Sequence, residues 1–221
     1  MCAWLLLLVL SGLASAQGVD RTDNQVWSDV QFAVPMTKDI DFNILGTLRI
    51  GRDVSRPVDE RIGMGFTFRF GQHVSIAPNY LYLATQPVRN RKVWESRLSL
   101  PVTLRFNVEK FRWSDRNLFE RRFRNPGNTS TRYRNRLQVE HPVGPSKLNL
   151  SLYIADEVFY DWSLNRWVRN RFTVGGSKVF NKHITQDVYY LRQNDGVSVP
   201  GDLNVIGTTL RLKLYAADLR G

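Results

Sequence analysis

The residues with most chemistry to offer are arginines and carboxylates that recur two apart. Glu95 and Arg97, Glu120 and Arg122, Arg134 and Arg136, and Arg169 and Arg171 each share one side of an extended chain, because side chains alternate along a strand. Arg116, Glu140 and Glu157 fall on the same faces of their own segments. Folding neighbouring segments into hairpins about their loop centres brings opposite signs together. Glu95 then faces Arg122, Arg97 faces Glu120, Glu120 neighbours Arg136, and Arg116 neighbours Glu140. Glu157 lies between Arg134 (or Arg132) on one side and Arg169 on the other. Such a ladder has two uses. Paired charges can fill a narrow interior and fix strand register. Alternatively, a ring in which Arg outnumbers carboxylate can select anions. The first is preferred, because a ring of about ten to twelve strands leaves little free width.

No catalytic constellation accompanies the ladder. His73, His141 and His183 each fall in or beside a short turn, away from any serine they could activate at a membrane's outer leaflet. They hold a metal only if strands bring them together. Asn128-Thr129-Ser130 matches a glycosylation acceptor by coincidence of composition. Gly63 and Gly65 lie in a strand, where close backbone packing is the expected role. The one cysteine, Cys2, leaves no disulfide or thiolate site in the mature chain. The expectation is a protein that is not an enzyme and needs no cofactor or metal.

The elements that must position the charges are strands. From Asn24 to Tyr215 apolar and polar residues alternate with period two, broken by short turns. Ile62, Met64, Phe66, Phe68 and Phe70 oppose Arg61, Gly63, Gly65, Thr67 and Arg69. Trp94, Leu98, Leu100, Val102, Leu104 and Phe106 oppose Glu95, Arg97, Ser99, Thr103 and Arg105. Leu148, Leu150, Leu152 and Ile154 oppose Asn149, Ser151, Tyr153 and Glu157. The segments are 24–35, 40–52, 59–70, 74–85, 92–106, 112–124, 131–142, 147–160, 166–180, 184–194 and 202–215. Most reach the ~9–11 residues that a tilted membrane strand needs. Short connections near 36–39, 71–73, 107–111, 144–146 and 181–183 alternate with longer ones near 53–58, 86–91, 125–130, 161–165 and 195–201. Short periplasmic turns and longer external loops form the outer-membrane pattern. Bacterial single-chain barrels have an even number of strands, so this ring is expected to close at about ten or twelve, with 24–35 falling short of a full wall strand or one strand still unread.

The first residues explain how such a chain leaves the cytoplasm. Trp4 to Leu10 is an apolar core, and Ala14-Ser15-Ala16 supplies small residues for cleavage. Residues 1–16 are therefore expected to be a signal peptide and 17–221 the barrel. The net charge of +11 is spread along the chain rather than gathered on one face, which argues against nucleic acid. About ten strands each offer four to six large apolar side chains on one face, more than a small lumen holds. They are expected to face outward, toward lipid. Phe70, Phe106, Trp113, Phe180 and Tyr215 fall near the short-turn ends. Tyr82, Trp94, Phe123, Tyr133, Tyr160, Trp162 and Trp167 fall near the long-loop ends, so two aromatic girdles are expected.

Several stretches also carry a family resemblance: Arg132-Tyr133-Arg134-Asn135-Arg136-Leu137, Asp156-Glu157-Val158-Phe159-Tyr160-Asp161, Trp167-Val168-Arg169-Asn170-Arg171 and Tyr190-Leu191-Arg192-Gln193. Together they resemble the bacterial proteins grouped as domain of unknown function 2490. The resemblance implies an outer-membrane barrel with a signal peptide, and it supplies no activity and no catalytic residue. Gly207, Leu210 and Leu212 resemble the signal read by the barrel-assembly machinery, although Val205 stands where a polar residue belongs. The combined expectation is all-β: an antiparallel transmembrane β-barrel of 10–12 strands with a polar, charge-filled lumen. Its partners would be outer-membrane lipid, lipopolysaccharide and, during biogenesis, the assembly machinery. Its role would be structural or a narrow, anion-preferring solute path. Two other readings stay open: an outer-membrane enzyme acting on lipid or lipopolysaccharide, and a soluble periplasmic carrier with an apolar cavity.

Overall fold

A computed structural model describes residues 22–88 and 91–215, in which the alternating segments become one closed sheet. In chain order the strands are β1 (Thr22–Pro35), β2 (Ile40–Gly51), β3 (Arg56–Phe70), β4 (Val74–Ile76), β5 (Asn79–Val88), β6 (Arg91–Val108), β7 (Phe111–Asn125), β8 (Ser130–Val143), β9 (Leu150–Asp161), β10 (Arg166–Val179), β11 (Ile184–Asp195) and β12 (Asp202–Lys213). The expected signal peptide lies outside the described residues. So does the tail Ala216–Gly221.

β4 and β5 together make one wall strand between β3 and β6. Pro78 has no N–H to give to a ladder, so the strand breaks beside it. Its carbonyl still accepts from Phe66, and the Ala77 N–H still reaches Pro101. The wall thus has eleven strands, and the expectation of an even count is corrected: segment 24–35 is a full wall strand. An odd ring cannot alternate throughout. One neighbouring pair must run the same way, and that pair is β1 with β12, registered from Thr22 opposite Asp202 to Ala33 opposite Lys213. Every other pairing is antiparallel. One boundary also moves. The segment expected from 147 begins at Leu150, because Ser146–Leu148 forms a single 3-10 turn.

A path of paired residues starting at Ile40, beside the foot of β1, runs through Phe68, Ile76, Val102, Asn117, Asn135, Val158, Asn170 and Asn194. It arrives at the Thr22 end of the seam, a stagger of about 14 residues, which requires strands tilted about 35–45°. A 12-residue strand at that tilt spans about 30 Å. The faces divide as their alternation requires. Ile62 is 63% exposed, Leu100 44% and Phe66 43%, all pointing away from the axis, while Asp41, Glu95, Arg97, Thr103 and Glu120 are buried inside. An apolar exterior around a charged interior is the reverse of a carrier with a greasy cavity.

On one side, the lower interior is packed by alternating large and small residues. Along one ladder row, Tyr153, Gly175, Tyr189, Gly207 and Trp27 stand side by side on five successive strands. Each tyrosine ring lies across a neighbouring glycine. A Cβ on Gly175 would sit 2.6 Å from the Tyr153 ring, and one on Gly207 would collide with the Tyr189 ring. Trp27 continues the row into a small apolar cluster with Leu191, Leu203 and Val205 that backs the parallel seam. Gly207→Ala is therefore expected to destabilise the barrel by about 1–3 kcal/mol through overpacking. Gly46→Ala, where the added methyl meets open space, should stay within about 0.5 kcal/mol. Urea unfolding of the two refolded variants in detergent measures the difference.

Candidate functional site: an arginine-walled lumen

Inward positions of β6 to β10 carry the charged ladder into the upper half of the lumen, toward the longer loops. Glu120 is 1% exposed and is shared by three guanidiniums: Arg132 at 2.6 Å, Arg134 at 3.0 Å and Arg97 at 3.2 Å. Glu157, also buried, takes Arg134 at 2.7 Å, Arg116 at 2.8 Å and Arg171 at 3.8 Å. Glu95 accepts from Arg97 at 2.6 Å and Arg122 at 2.7 Å. The sharing follows from register: arginines flank Glu120 and Glu157 on both adjoining strands, and Glu95 takes Arg97 from its own strand and Arg122 from β7. One carboxylate has enough lone pairs for several donors, and each guanidinium carries five donors.

The partners differ in part from those expected. Arg122 does meet Glu95, Arg97 meets Glu120, and Arg134 meets Glu157. Glu120 meets Arg132 and Arg134 rather than Arg136, whose guanidinium turns to Gln138 at 3.0 Å. Arg116 meets Glu157 rather than Glu140, and Glu140 instead pairs with Arg112 at the short-turn rim. Arg169 meets Asp195 at 2.5 Å rather than Glu157, and Arg171 takes the place expected of it. The cause is register: opposite Glu95 stands Arg124, two residues beyond the expected Arg122, and opposite Arg116 stands Arg136, four short of the expected Glu140.

Sequence reasoning missed several members. Arg49 and Arg61 share Asp59, with Arg49 at 3.5 Å. Asp161 binds the backbone N–H of Ser163 at 2.9 Å. Most unexpected is Phe159, fully enclosed in the lumen with Arg134, Arg171, Arg132 and Arg169 at 4.6, 4.8, 5.2 and 5.3 Å from its ring centroid. Its even spacing from Glu157 was the available signal. Arg171 also stands 5.0 Å from the Trp27 ring, whose indole has Arg49 at 3.7 Å.

The network floors a cavity of 810 Å³ that opens among the longer loops, beside Pro126, Gly127, Ser163, Leu164 and the segment Val197 to Pro200. Arg124 leans into it, held by neutral acceptors, the Asn128 carbonyl at 3.0 Å and the Ser130 hydroxyl at 2.6 Å. Around the plug and cavity, the ten guanidiniums named (Arg49, Arg61, Arg97, Arg116, Arg122, Arg124, Arg132, Arg134, Arg169 and Arg171) stand against six carboxylates (Asp59, Glu95, Glu120, Glu157, Asp161 and Asp195).

Two features lie elsewhere. The histidines remain apart: His73 Nδ1 bonds the Arg105 carbonyl, His183 Nδ1 bonds the Lys213 carbonyl, and His141 packs 4.8 Å from the Phe111 ring. On the outer face, Asp115 accepts from Asn135 at 2.6 Å and from Asn117 at 3.1 Å, and Tyr133 donates to Asn117. This polar island interrupts the apolar exterior and joins acid, amide and phenol, without a serine or histidine in its hydrogen bonds.

A family model described as Protein of unknown function (DUF2490) matches residues 24–203. The chain belongs to that family. The match spans the ring from β1 into the start of β12, so the network and the vestibule lie within the part this family shares. No curated protein matches the chain. Among solved structures, an anion-selective porin from Comamonas acidovorans is similar with a TM-score of 0.40 and 14% identity, covering 80% of this chain and 55% of the porin. The siderophore receptor PirA from Pseudomonas aeruginosa gives 0.28 and 10%, covering 74% of this chain and 34% of the receptor. The chain thus spans about half the length of one and a third of the other. At these identities and scores neither likeness sets a function for this family member.

Proposed function

We propose that the protein is an integral outer-membrane β-barrel whose lumen is plugged, so that its role is structural at rest rather than that of a general pore. The observation that carries this is the exposure of the charges. Residues lining a water-filled channel expose their side chains, yet Phe159 is 0% exposed, Glu120 1% and Arg97 4%. Their ion pairs run from β6 to β10 across the interior, and ordered charges of this kind hold strands in register. The membrane reading rests on the outward band of Ile62, Met64, Leu98, Leu100, Ile154 and Val174, far larger than the apolar patch a soluble monomer exposes. Aromatic rings rim both ends, including Phe106 stacked on Trp113 and Tyr82 on Trp94, each at 6.0 Å.

Purified protein in planar bilayers should give no stepwise conductance. Phe159→Ala, which removes the ring that four guanidiniums pack against, should raise the frequency of openings. Stable steps from the unaltered protein would overturn the plugged reading. Recovery from the soluble fraction without detergent would overturn the membrane one.

A further inference from the structure

We infer that the vestibule at the long-loop rim binds a compact, doubly charged oxyanion of the phosphate or sulfate class, seated against Arg171 with Arg49, Arg132 and Arg169 around it. The inference builds on the plugged-lumen reading, because a closed floor makes the cavity a pocket rather than a passage.

Charge balance is the starting point. Ten guanidiniums against those six carboxylates and Asp29, whose charge acts on Arg49 and Arg61, leave three positive charges without an internal counter-charge, in a space walled by protein that opens among the longer loops. Like charges repel more strongly in such surroundings than in solution. Four of those carboxylates have little left to give. Glu120 and Glu157 are each shared by three arginines, and Glu95 and Asp59 by two.

The shortfall is local. The short contact of Arg171 is the neutral Gln193 amide oxygen at 2.8 Å, while its carboxylate partner lies at 3.8 Å. Arg49 keeps a buried Nε with no hydrogen-bond partner. Arg124 is held only by a carbonyl and a hydroxyl. The aromatic faces of Trp27 and Phe159 position Arg49 and Arg171, but a ring offers each at most about 2 kcal/mol and carries no charge. A tetrahedral dianion is different. Its oxygens accept from several forks at once, the geometry for which guanidinium is suited. Chloride brings one charge and no directional acceptors. The cavity of 810 Å³ leaves room for the ion and its remaining water. The phosphate chemistry could arrive as a free solute or as a lipid headgroup. The mouth opens along the barrel axis among the loops rather than through the greasy wall, which favours the free solute.

The test is the thermal unfolding midpoint of the full barrel refolded in detergent. Three additions are compared at equal ionic strength: inorganic phosphate, sulfate and chloride. A fourth arm adds a short-chain phosphatidylglycerol below its micelle concentration. Phosphate or sulfate should raise the midpoint by about 5 °C at saturation, and chloride should not. Arg171→Gln and Arg124→Gln should each lose most of that rise, whereas Arg112→Gln, at the opposite rim, should keep it. Equal effects of all three salts would overturn the site, as would an undiminished rise in both vestibule variants. Stabilisation by the lipid alone would overturn the free-solute assignment. A failure here in protein that still passes no current would leave the plug standing, while conductance in the bilayer would sink the plug itself.

Discussion

Glu120→Gln should destabilise the barrel by about 3–5 kcal/mol, because removing one partner of a buried ion pair leaves the other uncompensated. In this case three guanidiniums lose their shared acceptor together: Arg97, Arg132 and Arg134, all directed at a side chain with 1% of its surface exposed. The amide keeps the size and one carbonyl oxygen, so the loss reports charge rather than a cavity. Glu140→Gln is the control. Its partner Arg112 is half exposed at the short-turn rim, and solvent-screened pairs contribute about 0–1 kcal/mol. Equilibrium urea unfolding of the refolded proteins, followed by tryptophan fluorescence, measures both. Equal losses for the two would mean that the interior charges are as well solvated as the rim.

Leu100→Arg should cost about 2–4 kcal/mol when the barrel is folded into lipid vesicles, the penalty of a cation near the middle of the hydrocarbon layer. Leu100 sits midway along β6, outward and 44% exposed, opposite Phe119. Val108, the last residue of the same strand, is also exposed. Val108→Arg should change stability by no more than about 1 kcal/mol, because arginine at the interface reaches the headgroups. The depth dependence is the point. On a water-facing surface both substitutions would be close to neutral, and a flat response along β6 would remove the lipid from the account.

The wall and its facing were legible in the sequence, and the reason is physical: a period of two assigns every side chain to one of two sides before any pairing is known. Pairing was less so. Centring each hairpin on its loop misplaced β7 by two residues against β6 and by four against β8, shifts that preserve facing but exchange partners. Glu95 still found Arg122 because arginine spans a diagonal. Arg116 did not find Glu140, because Arg136 stands opposite it. Trp167 outside and Arg169 inside conflict with strict alternation, and the irregular step between them on β10 reconciles the two. Phe159 was hidden by its type, since an aromatic among Val158 and Tyr160 reads as exterior. The same-direction joint between β1 and β12 left no local trace at all. It follows from a count: the eleven segments read along the chain, with 74–85 as one of them, already matched the wall, and the rule of even strand numbers set that count aside.

Thr22 stands among the long loops, and Lys213 stands among the short turns. A polypeptide that traverses a layer an even number of times finishes on the side where it began. Eleven traversals finish on the far side. On the proposed membrane reading, the two ends of this ring sample different compartments, and the barrel would be a stitch through the layer rather than a staple pressed in from one face.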